Sequence, residues 1–281
     1  MEKMHIVVDI AKCVGCFNCL LSCKDEHVGN AWPPYTDAQQ KHEQKWINPE
    51  KAERGKAPFT EVCYVTRFCQ HCDNAHCVSA RPDAFTKRGD GIVLINMDVA
   101  KGDKSLLGVC PYGMITWNEE LETAQKCTMC AHLLDDGWEE PRCVHSCPLR
   151  ALSVVKCDES EFTEIVKGHR LKSLTDGKNR PRVMYKNLYK YDTCFIAGTL
   201  AYNDGEVDRA AHGAVVELRL NEESLTDVTT DFFGEFRIDR LPKNSGTFEL
   251  VCRLAGFKDL VVEVPVDEAS PCLDIMFFEK A

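Results

Sequence analysis

The sequence predicts an α+β protein of two domains, a cysteine-rich domain over residues 1–193 and an all-β module over residues 194–281. Two observations carry this prediction. Of the 17 cysteines in the 281 residues, 14 lie between Cys13 and Cys157, mostly at gaps of two to four residues. Residues 194–281 contain only three cysteines and alternate short apolar runs with turn residues, a pattern typical of strands.

The first cysteine motif, Cys13-x2-Cys16-x2-Cys19-x3-Cys23, has the spacing of an iron–sulfur ligand set. Three thiolates at this spacing wrap a loop around three corners of a cubane, and the fourth ligates the other cluster in two-cluster ferredoxins. Zinc sites use four ligands in two pairs, so an overlapping run of four cysteines does not match a zinc site. The tight gaps also argue against disulfides, because short loops gain little from cross-linking.

Three further motifs follow. They are Cys69-x2-Cys72-x4-Cys77-x3-Arg81-Pro82, then Cys110-Pro111, then Cys127-x2-Cys130-x12-Cys143-x3-Cys147-Pro148. A Cys-Pro or Arg-Pro pair that leads into a β-like run recurs three times, which indicates a duplicated unit. Ferredoxin-type pairing combines the first three cysteines of one motif with the last cysteine of its partner motif.

This pairing predicts three [4Fe–4S] clusters. The ligands are Cys13, Cys16, Cys19 and Cys147 (group 1), Cys23, Cys127, Cys130 and Cys143 (group 2), and Cys69, Cys72, Cys77 and Cys110 (group 3). A fourth site would need cysteines at Arg81, Ala100, Asp103 and Leu106. Because all four are missing together, we expect one site to have been lost as a unit. Either Arg81 and Asp103 form an ion pair there, or both point to solvent and Leu106 fills the volume.

Three neighbouring features remain open at this stage. Lys24 and Lys126 adjoin ligand cysteines, and each either tunes a cluster's potential or is simply solvated. His71 and His76 lie inside the second motif, where we expect a hydrogen-bonding or surface role. Residues 24–68 are unusually long for a connection, and they either contact a partner or pack over a cluster.

The rest of the chain predicts a helix and a set of strands. Residues 158–193 indicate a helix that begins at Asp158, followed by an extended connection around Pro181. Seven short strands with turn signals between them predict a β-sandwich or small barrel. The seven candidate strands are 195–201, 214–220, 224–230, 234–239, 247–255, 260–266 and 273–278.

On these motifs the first domain resembles the four-motif, bacterial-ferredoxin-like subunit of the molybdopterin oxidoreductases related to dimethyl sulfoxide reductase, over residues 4–157. A narrower resemblance is to the small (β) subunits of pyrogallol–phloroglucinol transhydroxylases. It is carried by the loss of one cluster, by the appended β module and by the segments CKDEH (23–27), NAWPPY (30–35) and CQHCDN (69–74). The module is similar to the transthyretin-type, carboxypeptidase-regulatory-like fold, on the segments 196–200, 230–236 and 254–257.

The resemblance implies a heterodimer. A large subunit would carry molybdenum bis(pterin guanine dinucleotide) and the active site, where a hydroxyl group moves between polyhydroxybenzenes. This chain would transfer electrons and carry no catalytic residue, and it shows no nucleotide-binding loop, nucleophile elbow or zinc-protease motif. Two alternatives stay open: an electron-transfer subunit of another molybdopterin reductase, for sulfur compounds or arsenate, or a structural iron–sulfur interaction module.

Composition narrows the partners and the compartment. A formal net charge of −10 argues against nucleic-acid binding, because phosphate contacts need basic surface. No apolar run approaches the about 18 residues of a membrane span. The N-terminus lacks the apolar core and cleavage site of a signal peptide. Oxygen-labile clusters with spare thiols suit a reducing compartment, so we expect the cytoplasm unless a partner exports the chain.

Overall fold

A computed structural model describes residues 2–281, which divide into two compact units. Unit 1 comprises the residues up to Lys51 together with Cys63–Leu188, and unit 2 comprises Ala52–Val62 and Tyr189–Ala281. The predicted boundary at 193/194 places residues 52–62 in the first domain, whereas the structure groups them with unit 2. The physical cause is a long-range ion pair: Arg54 in this segment lies 2.8 Å from Asp239, which is far along the chain.

Unit 1 is built on a three-stranded sheet with short hairpins and helices around it. The strands that begin or end in this unit are β1 (Lys3–Asp9), β2 (Ile47–Arg54), β3 (Glu61–Phe68), β4 (Phe85–Lys87), β5 (Val93–Ile95), β6 (Thr116–Asn118), β7 (Thr123–Gln125), β8 (Leu152–Cys157) and β9 (Val183–Lys186). The helices are α1 (Asn18–His27), α2 (His76–Ala80), α3 (Met97–Ala100), α4 (Ala131–Asp135), α5 (Arg142–His145) and α6 (Glu159–Gly168), with a 3-10 turn at Lys104–Val109.

The three-stranded sheet has the order β8-β1-β9, with β8 antiparallel and β9 parallel to β1. Its central strand β1 is buried at five of its seven residues, as expected for a strand covered on both faces. A strand follows each of the three repeat segments: β4 after Arg81-Pro82, β6 after Cys110-Pro111 and β8 after Cys147-Pro148.

The predicted helix at Asp158 is confirmed. Helix α6 runs from Glu159 to Gly168, and the Asp158 carboxylate accepts a hydrogen bond from the Glu161 N–H at 2.9 Å. This contact satisfies one of the donors that a helix N-terminus leaves unpaired. The extended connection after Pro181 includes strand β9. The helices of residues 2–281 are too short or too polar to cross a lipid bilayer.

Unit 2 is a β-sandwich preceded by a short helix, α7 (Tyr189–Asp192). Its strands are β10 (Thr193–Asn203), β11 (Asp208–Ala210), β12 (Val215–Leu220), β13 (Glu223–Thr229), β14 (Glu235–Pro242), β15 (Gly246–Arg253), β16 (Leu260–Val266) and β17 (Cys272–Phe278). One sheet has the order β11-β10-β14, with β17 parallel to β10, and the other has the order β13-β12-β15-β16.

Both sheets of unit 2 contribute to one apolar core, which includes Ile196 and Phe236 from the first sheet and Val216 and Leu250 from the second. The seven predicted strands are confirmed, with ends that differ by a few residues. Strand β11 was not predicted, because all three of its residues are exposed and it carries no apolar alternation.

Candidate iron–sulfur cluster sites

The four cysteines of group 1 line one cavity. Cys13 and Cys16 lie on the loop before helix α1, Cys19 lies on its first turn, and Cys147 comes from the loop before β8. The loop is tightly constrained at Gly15, where φ is +67° and a side-chain carbon would lie 2.3 Å from Tyr64 Cζ. Only glycine fits there, because it has no Cβ and tolerates positive φ.

The four cysteines of group 2 line a second cavity. Cys23 lies one turn after Cys19 on helix α1, so a single helix serves two cavities. The loop that carries Cys127 and Cys130 turns through positive φ at Met129 and Cys130. In this turn the Met129 N–H donates a hydrogen bond to Cys127 Sγ at 3.3 Å, the kind of contact that stabilises a thiolate ligand.

The four cysteines of group 3 line a third cavity. His71, between Cys69 and Cys72, lines the same cavity and adopts a positive φ of 43°. The Val93 N–H donates to His71 Nδ1 at 3.1 Å, so Nδ1 is the acceptor and a neutral ring carries its proton on Nε2. The hydrogen-bonding role expected for His71 is therefore present, whereas His76 is exposed.

Electrostatics shows what these cavities require. Burial, together with repulsion from Cys13, Cys147 and Cys16, the other three members of group 1, raises the pKa of the Cys19 thiol to about 12. Burial likewise raises the pKa of Cys72, in group 3, to about 12, again with its group partners adding to the effect. Four thiolates in one buried cavity repel one another, so a cationic core is needed to hold them deprotonated.

The four cysteine sulfurs around each cavity fit the ligation of a [4Fe–4S] cluster. Among residues 2–281, no three His, Cys, Asp or Glu side chains stand close enough together to hold a single metal ion. The cysteines of each group surround a cavity instead. All-cysteine ligation from four directions is the donor set of [4Fe–4S] clusters.

The place where a fourth cluster would lie is filled by side chains of the protein. Arg81 Nη1 lies 2.9 Å from Asp103 Oδ2, and Arg81 also pairs with Asp83 at 2.7 Å. Of the two alternatives left open for Arg81 and Asp103, the ion pair is the one present, and it is not buried: the two side chains are 28% and 30% exposed. Ala100 and Leu106 are fully buried in the core around the group 3 cysteines, so apolar packing fills the interior.

The structure bears on two features left open by the sequence, the long segment 24–68 and Lys126. Trp46, from the long segment 24–68, lines the group 2 cavity, so this part of the segment packs inward. Lys126 is 2% exposed and therefore not solvated. The five remaining cysteines form no disulfide among residues 2–281, and each of them is buried; they are Cys63, Cys157, Cys194, Cys252 and Cys272.

Comparisons with known proteins agree with this chemistry. A family model described as a 4Fe-4S dicluster domain matches residues 60–157. The arsenate respiratory reductase iron–sulfur subunit of Shewanella sp. is 27% identical, over 69% of this chain and 100% of that protein. A tetrathionate reductase subunit of Salmonella typhimurium is 32% identical, over 66% of this chain and 73% of that protein.

The chain is more similar to another protein. The pyrogallol hydroxytransferase small subunit of Pelobacter acidigallici is 40% identical over 267 residues, which cover 93% of this chain and 95% of that protein. Among solved structures, a minor pilin of Streptococcus agalactiae aligns with 35% of this chain and 49% of its own at 18% identity, with a TM-score of 0.26, which assigns no fold. The chain thus belongs to the family of pyrogallol hydroxytransferase small subunits, among the iron–sulfur subunits of the molybdopterin oxidoreductases.

Proposed function

We propose that this chain is the electron-transfer subunit of a molybdopterin hydroxytransferase and that groups 1, 2 and 3 each ligate one [4Fe–4S] cluster. One observation carries the proposal: each of three cavities is lined by four cysteines, and each foursome includes a cysteine from a motif far along the chain. Cys147 joins Cys13, Cys23 joins Cys127 and Cys110 joins Cys69, which is the crossover of ferredoxin-type ligation.

The chain's residues hold and shield the clusters. Backbone N–H groups donate to ligand sulfurs, as Ala151 does to Cys147 Sγ at 3.2 Å. Apolar side chains such as Ile6, Phe68 and Met129 keep water from the group 2 cavity, whereas Cys16 of group 1 is exposed. Bound clusters supply one-electron carriers whose potentials depend on net charge, hydrogen bonds to sulfur and exposure.

The proposed partner is a large catalytic subunit that binds molybdenum bis(pterin guanine dinucleotide). Its reaction would transfer a hydroxyl group between polyhydroxybenzenes, as the name of the 40% identical relative suggests. This chain would supply no catalytic residue and would work in the cytoplasm. The β-sandwich of unit 2 would be of the transthyretin, carboxypeptidase-regulatory-like type, appended to a duplicated ferredoxin-like domain.

The substrate is tested by assaying the complex. The chain should be tagged, purified without oxygen together with its partner, and incubated with pyrogallol and a tetrahydroxybenzene co-substrate. We expect phloroglucinol to form. Reduction of arsenate or tetrathionate, with no hydroxyl transfer, would contradict the proposal and assign the complex to the reductases.

The electron-transfer role is tested separately by spectroscopy. The complex should be titrated with a reductant and followed by electron paramagnetic resonance. We expect each cluster to accept one electron at an accessible potential. Clusters that stay oxidised at every potential reached would contradict electron transfer and support a structural role.

A further inference from the structure

A buried ammonium group lies beside the cluster sites. Lys126 directly precedes Cys127 and is 2% exposed. Its Nζ donates hydrogen bonds to the Val93 carbonyl oxygen at 2.5 Å and to the Cys127 carbonyl oxygen at 2.8 Å. No acidic side chain among residues 2–281 pairs with it. A buried cation without a counter-charge is costly, so a neighbouring anion is expected.

The position of this group links two of the three sites. One of its two acceptors is the carbonyl of Cys127, a group 2 cysteine, and the other belongs to Val93, which lines the group 3 cavity. Burial raises the pKa of the thiols of Cys127, Cys77 and Cys110, and the Lys126 ammonium acts in the opposite direction on all three. These cysteines belong to groups 2 and 3.

Group 1 shares neither of these contacts. Val93 and Cys127, whose carbonyls accept from Lys126, do not line the group 1 cavity. Lys87, near group 3, differs from Lys126 because a carboxylate compensates it: its Nζ lies 2.8 Å from Asp73 Oδ1. Lys126 is the lysine whose charge faces two cavities with no acidic partner among the described residues.

The clusters themselves supply the missing anion. Four thiolates around a cubane core of roughly +2 leave a net charge of about −2, and a reducing electron makes it more negative. A nearby buried cation therefore stabilises the reduced form more than the oxidised form. Since the ammonium is shielded from water, this interaction is weakly screened.

We infer that Lys126 is the internal counter-charge of groups 2 and 3 and raises the reduction potentials of these two clusters relative to that of group 1. Electrons that enter the chain then collect on groups 2 and 3. Lys126 ligates no iron and acts on the clusters only through its positive charge. The inference rests on the proposed ligation of three clusters by groups 1 to 3.

The test is a redox titration of the anaerobic complex with Lys126→Met, followed by electron paramagnetic resonance. We expect the equilibrium constant for reduction to fall about tenfold or more for two of the three clusters, which is 59 mV for a one-electron couple. The third cluster, identified as the one whose signal is lost in Cys147→Ala, keeps its potential. Lys126→Arg should restore both shifted potentials, because it restores the charge.

Lys104→Met is the matched control, because Lys104 is 61% exposed and its charge is screened by water. It should change no potential. Three shifted clusters, or none, in Lys126→Met would overturn the inference. If Lys126→Met fails to retain iron, normal iron content in Lys126→Arg supports the counter-charge and equal loss overturns it. Iron content and three signals in the unaltered complex test the ligation itself, so the two failures are distinguishable.

Discussion

Arg81 Nη1 and Asp103 Oδ2 lie 2.9 Å apart at two of the four positions where a fourth cluster would need cysteines. The two other positions, Ala100 and Leu106, are fully buried beside Phe85 and Val93. The interior of the lost site is thus ordinary apolar core, and a partly exposed ion pair forms its rim. Packed side chains and an ion pair thus occupy the positions where a fourth cluster would need cysteines, so the predicted clusters are those of groups 1, 2 and 3.

This arrangement makes Leu106 more important for stability than Arg81. Leu106→Ala should lower the free energy of unfolding by about 2–5 kcal/mol, because it leaves a cavity in the core. Arg81→Ala should have no measurable effect, because exposed ion pairs contribute little. The measurement is the thermal midpoint under anaerobic conditions, together with iron content. A larger decrease of the thermal midpoint in Arg81→Ala than in Leu106→Ala would show that the ion pair, and not packing, closes the site.

Gly15→Ala should remove one cluster selectively. The new methyl group would meet the Tyr64 ring and the residue would have to keep a positive φ, so the loop that carries Cys13 and Cys16 must move. Iron content should fall by about one third, with two cluster signals retained. Gly29→Ala is the control, since its φ is also positive but no atom lies within 4 Å of the added carbon. Full iron content in Gly15→Ala would contradict the assignment of this loop.

Arg54 should hold segment 52–62 within unit 2. It is nearly buried and pairs with Glu61 at 2.6 Å and Asp239 at 2.8 Å. Burial would raise the pKa of Glu61, but hydrogen bonds from Lys190, Arg237 and Arg54 lower it to about 2. Removing one partner of such a pair costs about 3 kcal/mol.

In Arg54→Ala, hydrogen exchange of peptides from 52–62 should therefore be faster than in the unaltered chain. Arg253→Ala is the control, because Arg253 is 41% exposed and pairs with Glu217 rather than with segment 52–62, so its loss should leave this segment unchanged. Unaltered exchange of 52–62 in Arg54→Ala would show that other contacts, such as Phe59 with Phe195, hold the segment.

His5 should make the fold sensitive to acid. Its ring is 1% exposed, stacks on Phe162 at 3.5 Å, and has no hydrogen-bond partner on either nitrogen among the described residues. Burial, together with the charges of Arg182 and Lys3 and against that of Asp73, lowers its pKa to about 4. The unfolded chain takes up this proton near pH 6.5, so His5 contributes stability above that pH and loses it as the pH falls toward 4.

His5→Phe removes the titrating group and keeps the stacked ring. As the pH falls from 6.5 to 4, the denaturation midpoint of His5→Phe should therefore rise steadily relative to that of the unaltered chain. A constant difference between the two chains over this range would show that His5 does not titrate on unfolding. Because both chains carry the same cysteines, acid loss of clusters cancels in the comparison.

Local patterns predicted much of this fold. The helix after Asp158 follows from a capping residue and the acidic first turn, both local signals. Seven strands of unit 2 follow from alternation and turn residues. The cysteine spacing predicted which residues line each cavity, because ligand motifs encode the loop and helix that carry them. Cys147 was matched to Cys13 across the chain only through the ferredoxin pairing rule.

Long-range contacts account for the rest. Segment 52–62 joins unit 2 through the side chain of Arg54, and its sequence does not reveal that distant partner. Lys24 and Lys126 have similar sequence neighbours, yet only Lys126 is buried, because the Val93 and Cys127 carbonyls converge on it. Strand β11 (Asp208–Ala210) pairs with β10 but is exposed, so hydrophobic alternation could not reveal it.

The central proposal is that twelve cysteines, in three groups of four, ligate three [4Fe–4S] clusters. It is tested most directly by iron and sulfide analysis of anaerobically prepared chain, alone and as Cys147→Ala, with Cys252→Ala, a buried cysteine of unit 2, as the control. We expect about 12 iron and about 12 sulfide per chain, a selective loss of iron and sulfide in Cys147→Ala and none in Cys252→Ala. Colourless, iron-free protein, or an iron content that Cys147→Ala leaves unchanged, would contradict it.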